Sequence, residues 1–405
     1  MAQRLTIVGG GLVGASLACA LEPLDLEITV LEETPLDSNA QPSFDERTIA
    51  LTYGSRRIFE AIGIWDQVSY ESGPIHQIHV SNRGHFGFTR LDRQNIGTDA
   101  LGYVVPTRTL GRALTERLRS SAKINYRCPA AATAIHNERD TPTARIQTTD
   151  GEFETTLIVV ADGGRSALTQ ELGWKKRTKP YSEKALVGIV GVDRPHNGTA
   201  FERFTKHGPL ALLPLKDERF ALAWTLPEGE AEETANLHED DLLTRLQLAF
   251  GYRAGRFTRC QQLRVYPLSR SVLTSTVAER CVAIGNSAHT VHPVAGQGFN
   301  LGLRDVAQLA EDLACATREE KDIGDRSLLE AYAKKRRAQT GRVLGFTDGL
   351  LQAFSNEWPG IRTARNIGLN LIEIFPPAKT LLLKRTVGLA GRLPRLSRGL
   401  SLDTM

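Results

Sequence analysis

Short apolar runs, each closed by glycine or a polar cluster, recur along the chain and alternate with stretches of helical period. Leu5 to Val8 is a β-rich run of this kind and predicts a buried parallel strand. Ala15 to Leu21 continues as a helix, and Glu27 to Leu31 reads as a second strand. Leu157 to Val160, and the run that opens "CVAIGN" at Cys281, read as further strands whose ends carry glycine or polar groups. A different pattern lies between them. Residues 185–193, 208–215 and 219–226 have strand character bounded by Gly, Pro and acidic turns. An acidic loop then leads into a helix over 240–250. Phe220 and Trp224 fall in this sheet-rich region, and the pattern does not tell which face either takes.

The first strand leads straight into "GGGLVG", with Gly9, Gly11 and Gly14 in G-x-G-x-x-G spacing. Gly9 suits a tight turn, Gly11 a close approach of backbone N–H groups to a pyrophosphate, and Gly14 close contact of helix and strand. Glu32 stands at the end of the second strand, 21 residues after Gly11, where a carboxylate accepts from ribose hydroxyls. The motif alone is weak and a structural glycine turn is the alternative; strand, helix, second strand and acid in this order favour a dinucleotide. Asp162-Gly163, followed by Arg165-Ser166, and the stretch after Cys281 bring further strand ends toward one ligand. Cofactor segments spread this widely suit an extended flavin better than NAD.

Composition narrows the picture. The 405 residues suggest about two to three domains. Hydrophobic content of 41% and charged content of 24% are ordinary for a globular protein. The five cysteines are far apart and form no CxxC, so neither a disulfide framework nor a zinc ribbon is expected. His76/His79 and His289/His292 have no Cys or Glu at metal spacing, so no metal site is expected. His289 and His292 read as structural groups bonded to loop carbonyls. No apolar run reaches the ~18 residues of a membrane span. The N-terminus has the look of a signal-peptide core, but four glycines interrupt it and strand–turn–helix explains them better. The net charge of +4 is uneven: residues 361–405 hold eight Lys/Arg and two acids, a net +6 that leaves −2 for residues 1–360. The body is therefore no nucleic-acid binder, and the basic character belongs to the tail.

The segments "GGGLVG", "ADG" and "GNSAHTVHPVAGQGFN" resemble the three fingerprints of the single-component FAD-dependent aromatic hydroxylases of the para-hydroxybenzoate hydroxylase fold. The stretches 44–65, 201–215, 296–305 and 365–375 are similar to the ubiquinone-biosynthesis branch of that family, and the resemblance covers essentially the whole chain. It implies that Glu32 holds the adenosine ribose, that Arg47 and Arg108 lie near FAD, and that Asp162 and Gly163 serve FAD and a passing nicotinamide. Taken alone, Arg47 and Arg108 read as solvated charges. In most of the family an Asp follows the glycine of the third fingerprint and bonds the ribitol. This chain has Asn286, as one methoxyphenol-hydroxylating branch tends to. Asn keeps an acceptor oxygen, adds an NH2 donor and removes a charge. Pro293, Gly296, Gln297, Gly298 and Asn300 would line the isoalloxazine, with backbone N–H groups toward its carbonyl edge.

The fold implied is α/β: an FAD-binding Rossmann-like domain, glutathione-reductase-like, interrupted by a sheet-rich substrate domain and followed by a helical tail. The expected boundaries are 1–75, 100–175 and 275–345 for the flavin domain, 76–99 and 176–274 for the substrate domain, and 346–405 for the basic tail. The activity implied is hydroxylation of a polyprenylated methoxyphenol with O2, FAD and a transient NAD(P)H, since no second G-x-G-x-x-G occurs. Other ubiquinone-biosynthesis proteins are the implied partners. No catalytic base is assignable, and the oligomeric state is open. A hydroxylase or halogenase of a soluble aromatic is a second reading, the halogenase without a W-x-W-x-I-P segment to support it. A non-catalytic FAD-binding component of a complex is a third. The tail, expected to break at Pro376-Pro377 and to resume as a helix over 378–389, places leucines beside Lys384 and Arg385. It suits either the cytoplasmic face of a membrane or packing on its own domain or a sister subunit.

Overall fold

The computed structural model describes residues 2–38, 41–45, 47–84, 87–139, 141–164, 166–291, 296–355, 367–368 and 370–403. A six-stranded sheet runs in the order Val277–Ala278, Cys281–Ala283, Leu157–Val160, Gln3–Val8, Leu26–Leu31 and Ile124–Arg127. All pairs are parallel except the first. Both faces are covered, which is why these strands read as apolar runs rather than alternating ones. Leu5, Ile7, Leu157 and Val159 face the helices Leu12–Leu21 and Gln297–Arg318. Val8, Leu31, Ile158 and Val160 face a small antiparallel sheet of 132–136, 144–148 and 151–155 through Ile135 and Ile146.

An eight-stranded sheet lies beside it, in the order His289–Thr290, Phe257–Leu273, Lys176–Val192, Arg219–Pro227, Gly208–Pro214, Thr199–Thr205, Gln77–Asn82 and Phe88–Asp92. Its faces differ in bulk. Leu186, Phe201, Leu212, Phe220, Leu222 and Trp224 form a core with the helices Glu228–Ala235 and Glu239–Phe250. The opposite face carries Ala185, Ala200, Ala211, Ala221 and Ala223 and borders a cavity. Phe220 and Trp224 both belong to the helix-side core.

The strand expected to begin at 185 begins at Lys176. Its first residues are mostly exposed and polar, so they carry no hydrophobic signal; pairing of Lys176–Pro180 with Leu273–Ser269 makes them a strand. The sheet Thr48–Thr52, Gly102–Pro106, Gly73–Ile75 bridges the two larger sheets. The helix Arg326–Ser355 runs through residue 345 without a break.

In the tail, residues 370–374 are helical, Phe375 is not, and a helix runs from Pro376 to Thr386. It starts two residues earlier than expected because proline is preorganised for the first helical turn. It stops short of 389, where Gly388 takes φ +81°. Leu383 and Val387 are fully buried against Ile75, Leu101 and Ala221. Farther on, Leu396 and Leu402 enter the core of the first domain, and the Arg398 carbonyl accepts from Arg57 Nη2 at 2.5 Å.

Candidate functional site

The three glycines of the first turn have different reasons to be glycine. Gly9 has φ +103°, and a Cβ there would lie 2.6 Å from the Ala161 carbonyl oxygen. A Cβ on Gly14 would lie 2.0 Å from the Gly9 oxygen. Gly11 has an ordinary φ of −63°, and a Cβ there would meet nothing nearer than Ser43 Oγ at 4.0 Å. The fold does not demand glycine at 11. Its bare Cα faces open space at the N-terminus of Leu12–Leu21, which has no side-chain cap. Uncapped N–H groups and a positive helix end favour an anion. Glu32 is buried and braces this turn, accepting from Gly10 N at 2.8 Å and Thr34 N at 2.9 Å.

Ser287 joins the second and third fingerprints. It donates to Asp162 Oδ1 at 3.0 Å and accepts from Gly163 N at 2.9 Å. Burial pushes the Asp162 carboxyl up, against the hydrogen bonds from Ser166 and Ser287 that lower it. The Asn286 side chain beside it is exposed and has no protein partner among the described residues. Beneath the loop, Asp305 accepts from Gly285 N at 2.9 Å, His289 Nε2 at 2.7 Å and Arg336 Nε at 2.5 Å. Burial alone would raise this carboxyl; the Arg336 guanidinium, His289 and the Gly285 N–H outweigh it and hold it down at about 2. His289 is thus structural, but its partner is a carboxylate, not a loop carbonyl.

Gly296, at φ +59°, opens the helix Gln297–Arg318, again without a side-chain cap. Asn300 is fully buried; its Oδ1 accepts from Thr52 N at 2.8 Å, and its Nδ2 donates to Ala50 O at 2.7 Å and Gly296 O at 2.6 Å. Its side chain clamps the strand Thr48–Thr52 to this helix. Gly298 lies near Val291, and Gln297 is buried on the cavity wall with Gly296. Arg47 pairs with Asp45 and lies over the Tyr266 ring, 5.3 Å from its centroid. Arg108 is exposed in the first turn of Thr107–Ser120. Pro293 and His292 lie outside the described residues. Among the described residues no group of three His, Cys, Asp or Glu can hold a metal ion.

Between the Gly296 loop and the alanine face of the eight-stranded sheet lies a cavity of about 600 Å³. Ala50, Gly296 and Gln297 form its fingerprint end, Val187, Ala211 and Ala223 its sheet wall, and Phe346, Ile372 and Leu382 a further wall. Arg47, Glu202, Arg264 and Tyr266 are its ionisable lining groups. Sequence reasoning missed Ser287, Asp305, Arg336 and Glu202. Only Ser287 and Asp305 carried a local signal, Ser287 within the third fingerprint and Asp305 at the end of the stretch 296–305.

The uncapped helix end at Gly11, the joined Asp162–Ser287 loops and the Gly296 helix end beside an apolar cavity fit an extended FAD. The comparisons agree. The family model for the FAD binding domain matches residues 2–347. The chain is 34% identical to the ubiquinone hydroxylase UbiL of Rhodospirillum rubrum, over 98% of this chain and 92% of that one. It is 29% identical to the 3-demethoxyubiquinol 3-hydroxylase of Escherichia coli, over 95% and 98%. The crystal structure of p-nitrophenol 4-monooxygenase PnpA from Pseudomonas putida DLL-E4 superimposes with a TM-score of 0.77 at 18% identity, over 96% of this chain and 99% of that one. By sequence and by fold, the chain belongs to the FAD binding domain family, among its FAD-dependent hydroxylases.

Proposed function

We propose that the chain hydroxylates the ring of a polyprenylated phenol in ubiquinone biosynthesis, converting a 2-polyprenyl-6-methoxyphenol to the 1,4-benzoquinol with O2 and NAD(P)H. The observation that carries this reading is the mainly apolar cavity that opens directly onto the Gly296 helix end. FAD, when bound, would relay the two electrons of NAD(P)H to O2 and so activate it. The chain's own residues do the rest. The Leu12–Leu21 helix end and Gly11 receive the pyrophosphate. Asn300 fixes the Thr48–Thr52 strand and the helix end that face the ring system. Leu and Ala walls keep water from the reacting atoms.

A relative named for a different ring position, the 3-demethoxyubiquinol 3-hydroxylase, favours a second reading in which another carbon of the same ring is attacked. Mass spectrometry of quinone precursors in a strain lacking this chain separates the two. The methoxyphenol accumulates under the first reading, and a later, partly substituted quinol under the second. Labelled dioxygen must appear in the new hydroxyl under either; label only from water overturns both.

An insoluble substrate needs access from a lipid surface. No helix among the described residues is long and apolar enough to cross a membrane. The tail offers a surface contact instead. Ile372 and Leu382 line the cavity, while Ile367, Leu371, Ile374, Phe375 and Leu381 are exposed nearby in the same segment, with Lys384 and Arg385 beside them. Exposed apolar side chains flanked by basic ones suit an anionic headgroup layer. Peripheral membrane contact, through this patch, is part of the proposal.

A further inference from the structure

Glu202 is the carboxylate on the wall of an otherwise mostly apolar cavity, and the mechanism above does not use it. It sits on Thr199–Thr205, facing Ala211 on one neighbouring strand and Val80 on the other. The register continues sideways: Ala211 faces Ala223, Ala223 faces Val187, and Val187 faces Arg264. Glu202 and Arg264 therefore stand in one row of cavity-facing side chains, four strands apart, or about 19 Å at the usual spacing. Arg264 is exposed at one end of the row, and beyond Glu202 the buried Thr89 is capped by Glu373 of the tail. Glu202 thus lies toward the end that the tail covers.

Its Oε1 is enclosed and has no hydrogen-bond partner among the described residues. Burial pushes the carboxyl up to about 7, and no charged neighbour contributes to that shift. The charged groups on the adjoining elements are engaged elsewhere or distant. Arg203 and His79 alternate to the other face, near Arg253. Glu373 is paired with Lys379, and Arg264 is at the far end of the row. An enclosed carboxylate oxygen without a partner costs folding free energy, even on a residue that is only partly buried. A group kept at that cost, in a cavity wall, and tuned near neutral pH has the properties of a general base.

We infer that Glu202 receives the ring hydroxyl of the phenolic substrate, first as hydrogen-bond acceptor and then as proton acceptor. This rests on the phenol-hydroxylation reading above. The phenol O–H bond breaks and the proton goes to Glu202; the electron pair stays on oxygen and enriches the ring carbons ortho and para to it. One of these gains an oxygen atom from O2, and its C–H proton goes to the other oxygen. That oxygen leaves as water with the hydrogen and two electrons of NAD(P)H, and one proton from solvent completes the new hydroxyl. Glu202 then returns its proton to the phenolate oxygen, so the carboxylate is regenerated.

The test uses flavin-loaded protein, a 2-methoxy-6-alkylphenol with a short alkyl chain, and its O-methyl ether, with flavin fluorescence reporting binding. Above pH 7 the phenol should bind at least about 10-fold tighter than the ether, a preference that fades as pH falls through about 7. Glu202→Leu should abolish the preference, and Glu202→Gln should leave a weaker, pH-independent one. Both should fold with undiminished thermal midpoints, because neither keeps an unpartnered acid. Product formed per NAD(P)H consumed should drop at least about 100-fold in Glu202→Gln. Equal binding of phenol and ether by the wild type, a preference unchanged in Glu202→Leu, or undiminished coupling in Glu202→Gln overturns the inference. A Glu202-dependent preference without any hydroxylated product overturns the ring-hydroxylation reading alone.

Discussion

Arg336 reaches Asp305 across 31 residues of sequence, from the helix Arg326–Ser355 to the helix Gln297–Arg318, and their side chains meet at 2.5 Å with both almost fully buried. The same carboxylate holds His289 and the Gly285 N–H. One buried anion therefore ties the opening of the third fingerprint, Gly285 to His289, to both helices.

Replacing Asp305 by Ala leaves Arg336 buried and unpaired, so the expected loss is about 3 to 5 kcal/mol, read as a lowered urea midpoint. The pH dependence has a definite sign. Asp305 is held at about 2, below the ordinary carboxylate value, so its contribution is complete above about pH 4. It fades as pH falls from there through about 2, by on the order of 2 kcal/mol. The Asp305→Ala variant should lack that acid limb.

Gly11→Val and Gly14→Val should fail in different ways. At 11 the new side chain meets open space, so the protein should fold with native circular dichroism but lose the flavin absorbance bands. At 14 it meets the Gly9 carbonyl, so the protein should be insoluble or unfolded. A yellow Gly11→Val protein would remove the pyrophosphate from this turn.

Asn286→Asp should retain FAD, because its exposed side chain supports nothing in the fold. The added negative charge opposes the charge gained on reduction, so the flavin potential should fall; about 30 mV corresponds to about 1.4 kcal/mol for a two-electron couple. Potentiometry of the two proteins decides, and an unchanged potential would place residue 286 out of reach of the ring.

Phe375→Glu and Leu381→Glu should weaken co-sedimentation with anionic vesicles without lowering the thermal midpoint, since both side chains are exposed. Deleting the tail is a poorer test, because it would uncover Leu383, Val387, Leu396 and Leu402. Vesicle binding that ignores both substitutions and lipid charge would mean that substrate arrives by another route.

The nucleotide turn was legible in the sequence because its parts are local: strand, three glycines, helix and acid lie within Leu5 to Glu32. Glu202 was not, although its segment was singled out. A strand buried on both faces gives no period that separates Phe201, in the helix-side core, from Glu202 on the cavity wall. Arg336 was hidden for another reason. It reads as one of several basic residues on a polar helix, and only the crossing of two distant helices makes it a counter-ion. The tail was ambiguous because Leu381, Leu382 and Leu383 are adjacent in sequence yet face solvent, cavity and core respectively.

The unequal bulk of the two faces of the eight-stranded sheet has an evolutionary corollary. Phe220 and Trp224 on one side decide whether the domain holds together, while Ala223, next to Trp224, and Ala211, paired with Ala223 on the adjoining strand, decide how much room lies on the other. A methyl group added at an alanine shortens the chamber and leaves the foundation untouched. Descendants of such a scaffold are able to explore longer, shorter or bulkier guests one codon at a time, with little penalty in solubility or folding along the way.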